Sequence, residues 1–388
     1  MLRVVNKKKR IMMTGVNLVG YAAWFMMGGF LRKHVRRQTS REVRKILAVR
    51  LAYIGDVIMT LPALQPLRER FPKAKLSFLV GSKAAEVLKN NPFLDEIITY
   101  DAPWFYPQPP LQALRDYVRL VKKLRKKKFD LVIDFRGDFR NILFVVFASG
   151  ASRRVSYDMT GGGYLLTDVV PYKEDKHKVE FHLDIVRALG ANCNGARITC
   201  FPSGHECDRV HRLLDRYEIP EKDLLVGIHP GSRLPLKNWE AENYATVADK
   251  LVEDYGAAIV IVGSAGEKGL ADGILGLMRH KGINACGLLS LRELWVLIER
   301  MHLFLCTDSA PMHLASGANI PIVALFGPSE WWDTGPLSEK SIVQKIDLAC
   351  RTWCDSHTCR HDIYQYCLKA IEPSDVLTSC RTLLANNG

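Results

Sequence analysis

The stretch Leu303–Pro328, LFLCTDSAPMHLASGANIPIVALFGP, decides the fold of this 388-residue chain. It opens with an apolar run, Leu303–Cys306, that is too short for a helix and suits a buried strand. Polar residues at 307–309 follow at once, and Asp or Ser at that point suits the N-cap of a helix. A second buried strand is predicted over Ile320–Phe326. The stretch therefore predicts a strand–helix–strand unit.

The turn between the first strand and the helix is a candidate ligand site. Pro311 lies where a first-turn proline is tolerated, and Gly317 is expected to end the helix. Such a turn presents backbone N–H groups at the carboxyl edge of the sheet, which can bind an anion. Ligands of open α/β sheets bind at that edge. An ordinary βαβ unit with a capping Asp308 explains the pattern equally well.

Composition and charge indicate a globular protein with acidic partners. Hydrophobic residues make up 48% of the chain and charged residues 24%, and the formal net charge is +13. The length allows two domains of ordinary size. A positive balance favours nucleic acid, anionic lipid or phosphorylated substrates. Basic residues crowd the first fifty positions and Lys122–Lys128, so much of the charge lies in local patches.

The segment Ile11–Leu31 contains no charged residue across 21 positions, a length that can span a bilayer as a helix. Basic residues flank it on both sides, at 7–10 and 32–45. It is long for a signal peptide and lacks a clear small-x-small cleavage site. We expect an uncleaved membrane anchor that leaves the rest of the chain cytoplasmic. Because both flanks are basic, a span and a re-entrant insertion are both open.

Strands and helices alternate along the rest of the chain, which predicts an α/β fold with mostly parallel sheets. A polar segment near Pro202–Cys207 interrupts the pattern, which then restarts. The predicted domains are residues 1–44, 45–203 and 204–388, and the cleft between the two α/β halves is the natural ligand site. The predicted strands cover 46–50, 76–80, 96–100, 131–135, 224–229, 257–263, 303–306 and 320–326. A helix predicted over Leu111–Lys128 has a basic polar side, which suits solvent or a membrane.

Three loops at strand ends hold the reactive groups. Asp56 follows the first strand, where a carboxylate is either a helix cap or a general base. The loop His229–Trp239 offers Ser232, Arg233 and Lys237, a set that suits a phosphate, although an exposed basic loop is the alternative. The third loop, Thr307–Ala310, has His313 one turn into its helix.

Competing motifs are weak. The chain has no P-loop and no H-E-x-x-H, and Gly263–Gly269 lacks the Rossmann dinucleotide spacing. Four late cysteines, with two histidines between them, allow a zinc site or disulfides. Their spacing matches no standard zinc pattern well, so a structural role is favoured and no metal site is predicted. These cysteines are Cys350, Cys354, Cys359 and Cys367.

Taken together, the loops resemble glycosyltransferase family 9, the bacterial lipopolysaccharide heptosyltransferases and their relatives. The resemblance covers nearly everything from Lys45 to Leu384, and the segment 11–31 lies outside it. It rests on ILAVRLAYIGDVIMTLPALQPLRERFP, GIHPGSRLPLKNW, IVIVGSAGEKGLA, CTDSAPMHLASGANIPIVALFGPS and the cysteine-containing tail CDSHTCRHDIYQYCLKAIEPSDVL.

The resemblance implies a GT-B fold, with two Rossmann-like domains of parallel sheet facing a central cleft. The membrane-anchoring helix predicted over residues 11–31 is added to this fold and departs from the usual family member. It implies an inverting, metal-independent transferase without a cofactor. The donor is a nucleotide sugar, most simply ADP-heptose, and the acceptor is a lipopolysaccharide-core glycolipid. The expected partners are these two and an anionic membrane surface, and not nucleic acid. The expected location is the cytoplasmic face of the bacterial inner membrane.

The resemblance also implies roles for individual residues. Asp56 resembles the catalytic base, and Ser232, Arg233 and Lys237 resemble diphosphate and sugar contacts, with Lys237 stabilising the leaving group. The remaining donor contacts implied are Glu267 for the ribose, Leu289 for the adenine, Asp308 for the donor sugar, and Ser309, Ala310 and His313 for the diphosphate. The family often has Gly at position 310. Two alternatives stay open: a family-9 transferase with another nucleotide sugar, and a non-catalytic protein of the same fold that binds sugar nucleotide or glycolipid.

Overall fold

The computed structural model describes residues 11–22, 25, 42–173, 175–220, 223–352, 354 and 358–386. The chain divides into two compact units, an N-terminal unit of Met1–Arg197 and a C-terminal unit of Ile198–Gly388. Each unit is a parallel α/β structure, so the predicted α/β class is confirmed.

The N-terminal unit contains a six-stranded sheet in the order β3-β2-β1-β4-β5-β6. Every pair in it is parallel. Its strands are β1 Lys45–Arg50, β2 Lys75–Val80, β3 Glu96–Thr99, β4 Leu131–Asp134, β5 Arg153–Ser156 and β6 Asp168–Val169. Its helices are α1 at residues 11–22, α2 Ile54–Ile58, α3 Leu64–Arg70, α4 Pro110–Lys127, α5 Phe139–Asn141, continued by a π-helical segment over Ile142–Phe147, and α6 Lys178–Arg187.

The C-terminal unit repeats this architecture. Its six-stranded sheet has the order β12-β11-β10-β7-β8-β9, again with every pair parallel. Its strands are β7 Leu225–His229, β8 Ala258–Ile261, β9 Ile283–Asn284, β10 Leu303–Thr307, β11 Ile322–Phe326 and β12 Ser341–Lys345. Its helices are α7 Gly204–Arg216, α8 Ala241–Tyr255, α9 Lys268–Leu277, α10 Leu291–Glu299, α11 Ala310–Ala318, α12 Trp331–Thr334, α13 Tyr366–Lys369 and α14 Pro373–Ala385.

Both sheets have the strand order of the Rossmann fold, with a switch point where the direction of progression reverses. In the N-terminal unit this point lies between β1 and β4, and in the C-terminal unit between β7 and β10. Strands β7, β10 and β11 are buried at every residue because helices cover both faces of the sheet. Loops that follow the central strands therefore meet at the carboxyl edge of each sheet.

The eight predicted strands are confirmed, and four short strands were missed. These four, β5, β6, β9 and β12, include partly exposed residues and lack an apolar run. The prediction that Gly317 ends its helix is wrong, because α11 continues to Ala318 and Asn319 takes the left-handed conformation there. Asp56 is not a helix cap, because Tyr53 is the N-cap residue of α2 and Asp56 lies in the first turn.

The predicted anchor is described only in part. Residues 11–22 form α1, whereas 23–24, 26–31 and most of the basic flanks lie outside the described residues. Asn17 Oδ1 accepts a hydrogen bond from Gly162 N at 2.9 Å, and the rings of Tyr21 and Tyr164 meet edge to face at 5.4 Å. In the described part of the chain, no helix is both long and apolar enough to cross a membrane.

Candidate active site

In the N-terminal unit, a buried arginine holds the carboxylate of Asp56. Arg50, the last residue of β1, donates from Nη2 to Asp56 Oδ1 at 2.8 Å and from Nη1 to Phe135 O at 2.6 Å. Burial lowers the pKa of Arg50, and the charge of Asp56 opposes that shift. The Asp56 side chain is 27% exposed. This carboxylate is therefore fixed in direction but open to a ligand at the switch point of the sheet.

A carboxylate that is fully buried, that of Asp134, shapes the neighbouring turn. Asp134, the last residue of β4, accepts hydrogen bonds from Gly137 N at 2.8 Å, Ser156 Oγ at 2.9 Å and Asn141 Nδ2 at 3.1 Å. Burial raises the pKa of Asp134. Gly137 has φ +70°, and a Cβ there would lie 2.8 Å from Tyr157 Cβ, so only glycine fits this turn. The turn after β4 is consequently rigid.

Aromatic and basic side chains lie close to these carboxylates. The rings of Tyr53 and Phe105 meet edge to face at 5.5 Å, and the guanidinium of Arg136 lies over Phe105 at 4.5 Å. Arg136 Nε is 3.8 Å from Asp138 Oδ2. Flat apolar faces beside a guanidinium can bind a sugar that carries an anionic group.

In the C-terminal unit, two residues from separate candidate loops form an ion pair. Lys237 Nζ lies 2.5 Å from Asp308 Oδ2, and both side chains are largely buried. Ser329 Oγ donates to the same oxygen at 2.6 Å. Asp308 immediately follows β10, and Lys237 ends a short 3-10 turn after β7. A cation and a carboxylate thus share the switch point of this sheet.

The loop that carries Lys237 is held at both ends. Thr307 Oγ1 donates to Gly231 O at 2.9 Å. Gln365 Nε2 donates to Pro235 O at 2.9 Å and to Asn238 O at 3.0 Å. These bonds fix the backbone on either side of the basic residues, which reduces the ordering needed when a ligand binds.

Glu267 lies against the beginning of the same loop. Its Oε2 accepts hydrogen bonds from Ser264 N at 2.6 Å and Ser264 Oγ at 2.7 Å. Its Oε1 lies 3.9 Å from His229 Nε2 and would be 1.9 Å from a Cβ at Gly231. Burial lowers the pKa of His229, whose Nδ1 donates to Val262 O at 2.9 Å. A side chain at Gly231 would displace the Glu267 carboxylate from this position.

The other predicted donor residues lie along the same edge of the sheet or in α11. Ser232 Oγ accepts from Leu234 N at 3.3 Å, and Arg233 is exposed. Ser309 is the N-cap residue of α11, Ala310 begins that helix, and His313 is buried within it. Leu289 is half-buried in the turn before α10. The structure brings Lys237 and Asp308 together, and Arg233 and Leu289 stand outside that pair.

Sequence analysis missed four residues of these two constellations. Arg50 and Asp134 are charged residues that end the apolar strands β1 and β4, a signal that was available. Ser329 and Gln365 reach the site from distant loops and carry no local signal.

Two of the four late cysteines accept hydrogen bonds from nearby backbone N–H groups. Arg360 N donates to Cys354 Sγ and Gln365 N to Cys359 Sγ, each at 3.3 Å. The described structure joins none of the four cysteines in a disulfide. Within the described ranges, no group of three or more histidine, cysteine, aspartate or glutamate side chains is arranged to hold a metal ion.

Two parallel-sheet α/β units, each with polar and charged groups at its switch point, define a two-domain enzyme fold consistent with GT-B. A family model described as glycosyltransferase family 9 (heptosyltransferase) matches residues 117–364. The chain belongs to glycosyltransferase family 9 and is therefore a glycosyltransferase.

Relatives agree with this family. Lipopolysaccharide heptosyltransferase 3 of Escherichia coli strain K12 is 26% identical over 308 residues, which are 75% of this chain and 85% of the relative. The crystal structure of the family 9 glycosyl transferase from Veillonella parvula DSM 2008 matches with a TM-score of 0.79 at 23% identity, covering 89% of this chain and 99% of that one. E. coli ADP-heptose LPS heptosyltransferase II matches with a TM-score of 0.69 at 22% identity, covering 88% of this chain and 99% of that one. These structural likenesses show a shared fold.

A buried histidine supports the helix that carries Asp56. His182, on α6, donates from Nδ1 to Met59 O at 2.8 Å, and Met59 is the C-cap residue of α2. Burial lowers the pKa of His182 to about 3, and the charge of Arg50 acts in the same direction. The ring is therefore neutral in the folded protein.

We expect the N-terminal unit to become less stable as the pH is lowered, because the buried His182 cannot take up a proton in the folded state. Its folded pKa of about 3 lies below the ordinary 6.5, so the unfolded chain binds the extra proton between those values. The stabilisation is complete above pH 6.5 and is lost as the pH falls towards 3. From pH 7 to pH 5 the loss is about 2 kcal/mol. Urea unfolding at the two pH values measures it.

His182→Asn keeps an N–H donor for Met59 O but does not titrate. This variant should be less stable at pH 7 yet lose about 2 kcal/mol less between pH 7 and pH 5. Replacement of the exposed His211 by Asn is the control and should leave the slope unchanged. An unchanged slope in His182→Asn would show that another group causes the acid sensitivity.

Proposed function

We propose that this enzyme transfers heptose from ADP-heptose to a lipopolysaccharide-core glycolipid, with inversion at the sugar carbon. Residues 45–203 would bind the acceptor, and residues 204–388 the donor. The observation that carries the proposal is the partly exposed Asp56 carboxylate held by buried Arg50 at the switch point of its sheet. The printed name of the E. coli relative, ADP-heptose LPS heptosyltransferase II, supports the donor and the acceptor class.

On the acceptor side, Asp56 acts as the general base. Its ion pair with Arg50 holds the carboxylate in a fixed direction, so one oxygen can take a proton from the acceptor hydroxyl. Tyr53 and Phe105 offer apolar faces to the acceptor sugar, and Arg136 offers a guanidinium to its phosphate or carboxylate groups.

On the donor side, Lys237 binds the diphosphate of the nucleotide sugar. Its ammonium has three N–H donors, so it can keep its ion pair with Asp308 and also donate to a phosphate oxygen. Ser232 and Arg233 supply further contacts from the same loop. The first turn of α11, with Ser309, Ala310 and His313, adds N–H groups and the positive end of the helix dipole. These groups can stabilise the leaving diphosphate in a mechanism that requires no metal ion.

The remaining donor contacts follow from their positions. Asp308 accepts hydrogen bonds from donor-sugar hydroxyls, Glu267 from the ribose, and Leu289 packs against the adenine. In the transfer step the acceptor oxygen forms a bond to the anomeric carbon, and the bond from that carbon to the phosphate oxygen breaks. The hydroxyl proton goes to Asp56. The electron pair of the broken bond leaves with ADP, and the ammonium of Lys237 stabilises the negative charge of ADP.

We expect nucleotide release only when an ADP-sugar and a glycolipid acceptor are both present. Full-length protein in detergent, mixed with lipid-A-type acceptors and a panel of ADP-, UDP- and GDP-sugars, tests this. Release that requires the acceptor and occurs with ADP-heptose but with no other nucleotide sugar supports the proposal. Turnover with another nucleotide sugar would identify a different family-9 transferase, and tight binding without turnover would identify a non-catalytic binding protein.

Asp56→Asn and Lys237→Ala should affect turnover and donor affinity differently. Asp56→Asn should lower turnover by a factor of roughly a hundred to ten thousand, because the proton acceptor is lost while the amide oxygen can still accept from Arg50. Donor affinity should be nearly unchanged, because the proposed donor contacts are made by other residues. Lys237→Ala should weaken donor binding and turnover together, because its charge meets the diphosphate before and during bond breaking. Turnover and donor affinity of both variants are the measurements.

Two further ion pairs provide matched controls. Asp95 pairs with Arg68 at 2.6 Å in the N-terminal unit, and Lys250 pairs with Glu253 at 2.6 Å in the C-terminal unit. Asp95→Asn and Lys250→Ala should keep near-normal turnover. If Asp56→Asn also keeps most of its activity, the base lies elsewhere in the N-terminal unit.

We also propose that residues 11–31 hold the enzyme at the cytoplasmic face of the inner membrane. The described part of this segment exposes large apolar side chains, among them Ile11, Met12, Val16, Leu18, Val19 and Phe25. Asn17 and Tyr21 attach α1 to the N-terminal unit. An apolar helix attached in this way can enter the bilayer surface.

Deletion of residues 1–40 should move the protein from the membrane fraction to the soluble fraction after a high-salt wash. Activity with a water-soluble acceptor should survive, because the predicted site residues lie after position 45. The full-length variant Ile11→Ser/Met12→Ser/Leu18→Ser/Val19→Ser retains Asn17 and Tyr21 and should also weaken membrane binding. A truncated chain that stays membrane-bound after a high-salt wash would contradict the anchor.

A further inference from the structure

The helix α4 has two apolar faces. Leu120 and Leu124 are buried against the core of the N-terminal unit. On another side of the helix, Leu111 is 84%, Leu114 59% and Val118 41% exposed. Residues at this spacing form one line along a helix. Among the described residues of the N-terminal unit, the core cluster that contains Leu120 and Leu124 does not include this apolar stripe.

Exposed aromatic rings extend the apolar stripe. Phe144 and Phe147, on the π-helical segment, are exposed. The Phe144 ring meets Tyr117 of α4 edge to face at 5.9 Å. Arg125 Nε donates to Ala148 O at 3.0 Å and ties the end of the segment to α4. The π-helical segment with its two exposed phenylalanines therefore packs beside α4.

A basic stripe runs beside the apolar one. Arg115, Arg119, Lys122 and Lys126 are exposed and recur at intervals of four, three and four residues. Asp116 is the one acidic residue within α4. The seven basic residues of the helix are Arg115, Arg119, Lys122, Lys123, Arg125, Lys126 and Lys127.

A shallow cavity joins the two stripes. It measures about 340 Å³ and has both apolar and polar walls. Its lining residues are Leu111, Gln112, Arg115, Asp116 and Arg119. This cavity therefore has room for a small polar group beside an apolar wall.

We infer that this face of α4 and the π-helical segment docks on the surface of an anionic phospholipid bilayer. Basic residues beside exposed leucine and phenylalanine are the pattern of an interfacial helix, whose apolar side enters the acyl boundary while the cations meet lipid phosphates. Nucleic acid would match the charge but not the apolar stripe. The inference rests on the proposed function for its setting, because a glycolipid acceptor lies in such a bilayer.

The contact can be located with a photo-reactive side chain. Leu114 is replaced by p-benzoylphenylalanine in the full chain, and the protein is irradiated with phosphatidylcholine vesicles that contain one-third phosphatidylglycerol or none. The same replacement at Leu277, which is 49% exposed on α9, is the control. Lipid adducts should form at position 114 on the anionic vesicles and be several-fold fewer at position 277.

The charge requirement is tested with two matched variants that each remove four positive charges. One is Arg115→Gln/Arg119→Gln/Lys122→Gln/Lys126→Gln. The control replaces exposed basic residues of the C-terminal unit: Arg212→Gln/Arg216→Gln/Lys281→Gln/Lys340→Gln. The α4 variant should lower the adduct yield at position 114 by about tenfold or more on anionic vesicles. The control variant should change it less than twofold, and melting temperatures verify that both are folded.

Each outcome decides the inference. Equal adduct yields at positions 114 and 277, or equal effects of the two charge variants, would overturn it. A cross-linked protein dimer at position 114 would instead assign the face to a second copy of the chain. Nucleotide release with a soluble acceptor should be unchanged in the α4 variant, so failure of the docking surface is distinguishable from failure of the proposed transfer reaction.

Discussion

Burial of both faces of each parallel sheet is the constraint on which the rest of this structure depends. Helices cover strands such as β10 and β11, whose residues are all buried, so these faces cannot hold a ligand. Parallel pairing also sends the carboxyl ends of all strands to one edge. The polar groups that can act on a ligand therefore collect at that edge, above all at the switch points between β1 and β4 and between β7 and β10.

Charged groups at these points require specific partners. A buried charge that lacks a counter-charge or hydrogen bonds costs several kcal/mol, roughly, in folding free energy. Arg50 and Asp134 are both buried, and each ends a strand. Arg50 donates hydrogen bonds to Phe135 and Asp56, and Asp134 accepts them from Gly137 and Ser156. The C-terminal unit uses a related solution, in which Lys237, Asp308 and Ser329 satisfy one another. In both units the same contacts that stabilise the fold aim functional groups in fixed directions.

The surface of the N-terminal unit exposes apolar side chains on two helices. Leu111, Leu114 and Val118 are exposed although they lie on a helix whose other apolar side is buried. The helix α1 exposes further apolar side chains and attaches through Asn17 and Tyr21. A stripe of this kind, bordered by cations, costs free energy in water and is stabilised at the interface of an anionic bilayer. The chemistry of the site and the apolar surface of this unit thus both suit an amphiphilic substrate.

The sequence by itself determined the α/β class, the eight apolar strands, the basic helix α4 and the loops that hold Asp56, Lys237 and Asp308. These follow from local periodicity and from short motifs, because apolar runs and turn residues act within a few positions of the chain. The short strands β5, β6, β9 and β12 were missed because pairing with a neighbour, and not their own apolar content, makes them strands.

Only the tertiary structure decided which groups meet. The capping interpretation of Asp56 is wrong because the helix begins at a different residue and Arg50 takes the carboxylate. The pairing of Lys237 with Asp308, 71 positions away, depends on how β7 and β10 lie side by side. Gln365 reaches the same loop from 130 positions beyond Pro235. Contacts over such separations are fixed by sheet order and packing, which no local pattern in the sequence encodes.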